Sequence, residues 1–85
     1  MQDTTEFKKK LEEVHTFPTL YMFKFIVPRD KVPEVEALFP KNEVVTKPSS
    51  KGTYVSTTIR SMMESADHII EVYQEAKKIE GIISL

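Results

Sequence analysis

Between Pro18 and Pro28 runs Thr19-Leu20-Tyr21-Met22-Phe23-Lys24-Phe25-Ile26-Val27, and this stretch constrains the fold more than any other. β-Branched and aromatic residues at this density favour an extended strand. Tyr21, Phe23, Phe25 and Val27 share one parity; Leu20, Met22, Lys24 and Ile26 share the other. Side chains alternate across a strand, so the aromatic set faces the main core. The second set is apolar apart from one lysine, which predicts a half-covered face.

The rest of the core has to be found within one small domain. A chain of 85 residues buries only roughly 60% of its unfolded surface, against ordering costs of about 1.5 kcal/mol per residue. No cysteine is present, so neither a disulfide nor a thiolate zinc site can reinforce it. Apolar packing, with or without self-association, must suffice.

Charge narrows the partners. Twelve basic and 13 acidic residues give a net charge of −1, too little for a long-range field that draws a polyanion. Nucleic acid and anionic membrane are therefore not expected as main partners. No apolar run reaches the eighteen or so residues of a membrane span. The first residues lack the basic and apolar regions of a signal peptide, so a cytoplasmic location is expected.

Elsewhere the pattern alternates between helix and strand. Asp3 and Glu6 have capping-box spacing, and Phe7, Leu11 and Val14 form a stripe for a short leading helix. Lys8, Lys9 and Lys10 beside it read as a solvated face, with Glu12 and Glu13 close by. Phe17-Pro18 ends that helix. After the first strand, Asp30 is the candidate cap of a helix bearing Val32, Val35, Leu38 and Phe39, with Pro33 in its first turn and Pro40 ending it. Residues 43–47 predict a second strand, placed at a sheet edge because Pro48 has no amide hydrogen. Ser49-Ser50-Lys51-Gly52 predicts a hairpin turn, with Gly52 at positive φ.

Residues 53–60 predict the third strand, with Val55, Thr57 and Ile59 towards the core. Met62 and Met63 are expected to seal the joint before the next helix. Ser65 caps that helix, on which Ala66, Ile69, Ile70, Tyr73, Ala76 and Ile79 follow helical spacing, and Gly81 suits its C-terminal side. Residues 82–85 predict a last strand. The order strand–helix–strand–strand–helix–strand predicts an α+β, ferredoxin-like βαββαβ sandwich. Its four antiparallel strands take the order 4-1-3-2, with two helices on one face. Residues 1–16 form a helical lead-in and 17–85 the domain.

The chain resembles the YbeD-like family, small uncharacterised bacterial proteins with a fold like that of ACT regulatory domains. Phe17-Pro18-Thr19, Lys24, the run Lys47-Pro48-Ser49-Ser50-Lys51-Gly52, Tyr54, Ser56 and Tyr73 carry the resemblance, which spans nearly the whole chain. It implies the fold; some members are labelled as regulators linked to lipoate metabolism. ACT domains that bind amino acids place a glycine where the first strand meets the first helix. Here that turn is Val27-Pro28-Arg29-Asp30-Lys31, and Pro28 offers no donor. An amino-acid site of that kind is not expected there.

The hairpin is the strongest candidate site. Lys24, Lys47, Ser49, Ser50, Lys51, Gly52, Tyr54 and Ser56 offer charge, hydroxyls and turn amides to an anion or a protein partner, and Arg60 extends the set. Turn chemistry and protection of an edge strand account for the same residues. An RNA-recognition reading fits Lys51-Gly52 but fails at Thr53, Val55 and Thr58, where stacking aromatics are required. Acylphosphatase chemistry lacks its anion loop: Arg29 has no glycine-rich neighbour, and Asn42 precedes the second strand.

His15 and His68 have no metal-ligand company, and His68 is expected to be exposed. Asp67, Glu71 and Glu75 form an acidic stripe, either a docking surface or a solvated face. The expectation is a non-enzymatic regulatory or adaptor module without cofactor or metal. It contacts a protein partner or a second copy through the face of Leu20, Met22 and Ile26 or through the strand edge, with the hairpin from Lys47 to Tyr54 adding specificity, unless the leading helix covers that face. The alternative is a sensor of a small anionic metabolite.

Overall fold

The structure, a computed structural model, describes residues 4–85. Its elements are α1 (Thr5–Val14), β1 (Thr19–Pro28), a 3-10 turn (Arg29–Lys31), α2 (Val32–Leu38), β2 (Val44–Pro48), β3 (Tyr54–Met63), α3 (Ala66–Ala76) and β4 (Ile83–Ser84). One four-stranded sheet has the order β2-β3-β1-β4, every neighbouring pair antiparallel. Read from the other edge this is 4-1-3-2, the ferredoxin-like arrangement. Pro48 indeed lies on an edge strand, where its missing amide hydrogen leaves no rung unmade.

The long β1–β3 pairing organises the molecule. Ten residues of each strand lie opposite one another, from Thr19 with Met63 to Pro28 with Tyr54. The aromatic parity falls as the alternation requires: Phe23, Phe25 and Val27 are fully buried, opposite Ile59, Thr57 and Val55. Each such side chain contributes about 1.5–3 kcal/mol on leaving water. Thr57 is the single polar member of the described core, and its hydroxyl donates to Phe25 O at 3.0 Å. A buried hydroxyl is tolerated because that bond is made. Val35 and Phe39 from α2 and its C-terminal end, with Ile69, Ile70 and Ala76 of α3, close the core from one side of the sheet.

Local chemistry sets several ends. Ser65 caps α3, its Oγ accepting from His68 N at 3.1 Å. Gly52 (φ +72°) and Gly81 (φ +80°) are the described residues with left-handed backbone. Asp30 does not cap a helix as expected. It sits inside the 3-10 turn, and Lys31 precedes α2 without a side-chain cap bond. β3 continues three residues past Arg60, so Met63 is buried in the sheet while Met62 faces solvent. Only Met63 therefore seals the joint. β4 is two residues long rather than four, and its line is prolonged by Leu85 N donating to Lys24 O at 2.9 Å.

The lead-in helix packs on the helix layer beside α3. Leu11 is buried, the Phe7 ring meets the Tyr73 ring edge-on at 5.8 Å, and Lys8 Nζ lies 3.2 Å from Asp67 Oδ2. Val14 stays exposed, so the expected stripe stops at Leu11. The capping box through Asp3 lies outside the described residues. Because α1 joins the helices, it does not cover the opposite face of the sheet.

Candidate functional site

With the helices on one side, the other side of the sheet is laid out by parity. It presents Leu20, Met22, Lys24 and Ile26 from β1, and Tyr54, Ser56, Thr58, Arg60 and Met62 from β3. Val45 and Lys47 of β2 and Ile83 of β4 complete it. Among the described residues nine large apolar side chains remain exposed, and six of them (Leu20, Met22, Val45, Tyr54, Met62, Ile83) share this face. Leu20, Met22 and Met62 are neighbours through the Leu20–Met62 and Met22–Arg60 pairs, each more than half exposed.

Charge is distributed just as unevenly. The strands carry three charged side chains, Lys24, Lys47 and Arg60, and no carboxylate. All three belong to the helix-free face and are exposed. Glu43 and Glu64 fall just beyond β2 and β3, continue the parity of this face and mark its margin.

At one corner of this face the hairpin forms a shallow hollow of about 160 Å³ lined by Ile26, Lys47, Pro48, Ser49, Tyr54 and Ser56. Pairing creates it, because Ile26 stands opposite Ser56 and Ser56 opposite Lys47. Four of the eight sequence candidates thus meet: Lys47, Ser49, Tyr54 and Ser56. Lys24 occupies the next row, opposite Thr58. Ser50, Lys51 and Gly52 form the turn beyond the hollow and do not line it.

Much of the turn's hydrogen bonding is internal. Ser49 N donates to Tyr54 O at 2.8 Å, Gly52 N donates to Ser49 O at 2.9 Å, and Tyr54 N approaches Ser49 Oγ at 3.4 Å. These amides close the hairpin and are not offered to a ligand.

Two residues outside the sequence prediction complete the surroundings. Arg29 N donates to Thr53 O at 3.1 Å, and its guanidinium lies over Gly52. That cation is 23 positions from the glycine and carries no local motif, so only the fold reveals it. Asn42 Nδ2 donates to Arg60 O at 3.2 Å, and Ser61 Oγ donates to Asn42 Oδ1 at 3.4 Å. Asn42 thereby occupies a backbone carbonyl of β3 beyond the end of β2. Met62 was legible in principle, since Ser61-Met62-Met63 continue the strand's alternation.

The remaining candidates resolve as packing or solvated surface. His15 stacks at an angle on Phe17 and Tyr21, with ring centroids 6.1 and 5.5 Å apart, and His68 is exposed. Among the described residues no three His, Asp or Glu side chains gather as a metal site. The acidic stripe is partly neutralised, Asp67 by Lys8 and Glu75 by Lys78. A larger cavity of about 290 Å³ between α1, α3 and β4 is lined by Thr4, Phe7, Ile70, Tyr73, Gln74, Lys77 and Ser84. Beside it the Tyr73 and Tyr21 hydroxyls lie 3.1 Å apart, and burial together with that bond raises the Tyr73 phenol above its ordinary pKa.

Residues 12–85 match the model of a family described as "Protein of unknown function (DUF493)". The chain belongs to this family. The chain is also similar to curated UPF0250 proteins of Shewanella. The alignment to the Shewanella halifaxensis protein is 36% identical over 86% of this chain and 91% of the other. Those of Shewanella oneidensis and Shewanella baltica OS155 are 35% and 38% identical over the same shares. The YbeD-like resemblance is thereby established, and with it a bacterial family to which no activity is attached. No solved structure matches the chain. No helix among the described residues is long and apolar enough to cross a membrane.

Proposed function

We propose that this DUF493 member is a non-enzymatic regulatory or adaptor module that works through protein contacts on the helix-free face of its sheet. One observation carries the reading: six of nine exposed large apolar side chains lie on that single face, uncovered by any described helix. In a domain with so little apolar surface to bury, leaving this much exposed on one side costs stability that a partner would return. A second reading, a small-anion sensor at the hairpin hollow, draws on Lys47 and Ser56 there and on Arg29 close to the turn. It has the weaker support, because Ser49 and the turn amides already bond one another.

Affinity capture from source lysate with quantitative mass spectrometry tests the assignment. The baits are wild type, Met22→Glu, Val45→Glu and, as a helix-layer control, Glu71→Lys. A protein retained by wild type and control but lost from both face variants supports it; an unchanged set of captured proteins refutes it. A thermal-shift hit among anionic metabolites that disappears in Lys47→Ala would move the function to the hairpin.

A further inference from the structure

We infer that the surface meeting this face is an acidic amphipathic helix of another protein. The inference rests on the docking reading above and adds the chemistry of the partner. Its basis is the segregation of charge: the strands hold Lys24, Lys47 and Arg60 but no carboxylate, in a chain with 13 acids. On a protein of net charge −1, a surface that is apolar and, along its strands, cationic, with Glu43 and Glu64 only at its margin, is complementary to a local acidic element.

The spacing suits a helix. Neighbouring strands lie about 5 Å apart and alternate residues about 7 Å apart along a strand. Lys24 and Arg60 sit one row apart on adjacent strands, since Met22 faces Arg60 and Lys24 faces Thr58. Their anchor points are therefore separated by roughly 8 Å on this geometry. Carboxylates at i and i+4 of a helix stand about 6 Å apart, within reach of these long side chains. The apolar corner of Leu20, Met22 and Met62 lies directly beside this pair and receives the helix's apolar stripe.

Other occupants fit less well. A second copy placed face to face would bring three more cations, Lys24, Lys47 and Arg60, to the contact and only the marginal Glu43 and Glu64 to offset them. Single-stranded nucleic acid requires several aromatic platforms, and Tyr54 alone supplies one. Anionic membranes select clusters of four to eight basic residues, more than this face presents.

The test uses the full chain labelled with ¹⁵N and titrated with synthetic amphipathic peptides of about 18 residues. One is built from Leu and Glu, a second from Leu and Lys. The Leu/Glu peptide is expected to move the amide resonances of Met22, Lys24, Val45, Thr58 and Arg60, with affinity falling as salt rises. The double variant Lys24→Glu, Arg60→Glu should lose about tenfold in affinity for it and gain binding to the Leu/Lys peptide.

Equal binding of both peptides, absence of binding, or shifts confined to the helix layer overturns the inference. So does stronger binding to phosphatidylglycerol vesicles or oligouridylate, or concentration-dependent self-association lost on Met22→Glu. A captured protein lost on Met22→Glu yet retained by Lys24→Glu, Arg60→Glu would leave the docking reading standing and remove the acidic partner.

Discussion

Two glycines offer a controlled comparison of what a single methyl group costs in this fold. Gly52 and Gly81 have nearly the same backbone, φ +72° and +80°, and in each a Cβ would stand 2.9 Å from its nearest neighbour. The neighbours differ in stiffness. At Gly52 it is Arg29 Nη2, the far end of an exposed and flexible side chain. At Gly81 it is Pro28 Cγ, with Cδ at 3.2 Å, a closed ring at the end of β1. Left-handed backbone costs alanine about 1–2 kcal/mol, and the stiffer unfolded chain returns about 0.4–1 kcal/mol. Gly52→Ala should therefore cost about 1 kcal/mol, because Arg29 swings aside.

Gly81→Ala adds an overlap that only backbone movement relieves, worth a further 1–3 kcal/mol or so, for a total of about 2–4 kcal/mol. In a domain of this size each kcal/mol lowers Tm by about 4–8 °C. Thermal unfolding followed by far-ultraviolet circular dichroism should show Gly52→Ala about 4–8 °C below wild type and Gly81→Ala at least twice as far below. Adding Arg29→Ala to Gly52→Ala should return little, since the obstacle there was already mobile. If Gly52→Ala proves as damaging as Gly81→Ala, the argument from neighbour stiffness is wrong.

Two further outcomes follow from groups described above. Ser65→Ala removes the cap bond to His68 N and should cost about 1 kcal/mol, readable as a lower urea midpoint with unchanged slope. Burial, aided by the Tyr21 hydroxyl, raises the folded-state pKa of Tyr73 above the unfolded value of about 10. The folded chain then holds a proton that the unfolded chain releases. The stabilisation is present in full below about pH 10 and is lost as the pH climbs beyond it. Urea midpoints measured from neutral to strongly alkaline pH should decline more gently for Tyr73→Phe than for wild type. Parallel curves would place the alkaline sensitivity elsewhere.

Strand parity made most of the sheet legible. Tyr21, Phe23, Phe25 and Val27 alternate with a second set, and Val55, Thr57 and Ile59 answer them, so the faces followed once the elements were placed. Pro48 announced its edge position because a missing donor is a local fact. What escaped depended on partners distant in sequence. Arg29 reaches Gly52 only because the turn after β1 lies against the hairpin. Asn42 caps a carbonyl of β3, and nothing in its neighbours signals that bond. The Asp30 cap failed because a 3-10 turn intervenes before α2.

The lead-in helix illustrates the same limit. Leu11 showed that α1 has an apolar side, but the choice between helix layer and open face was made by Phe7 on Tyr73 and Lys8 on Asp67. For the candidate site, the eight residues read from the sequence were only half brought together. The broad apolar and cationic face arose from pairing that no single segment encodes.

The ladder between β1 and β3 has a consequence for how the molecule assembles. Its rungs join Thr19 to Met63 and Pro28 to Tyr54, so no local hairpin can form them. Closing such distant contacts delays their reward and slows folding relative to a helical bundle. During synthesis the aromatic run of β1 leaves the ribosome before β3 follows it out. Throughout that interval Tyr21, Phe23 and Phe25 lack their sheet neighbour, which makes the nascent chain the stage most exposed to aggregation and to chaperone capture.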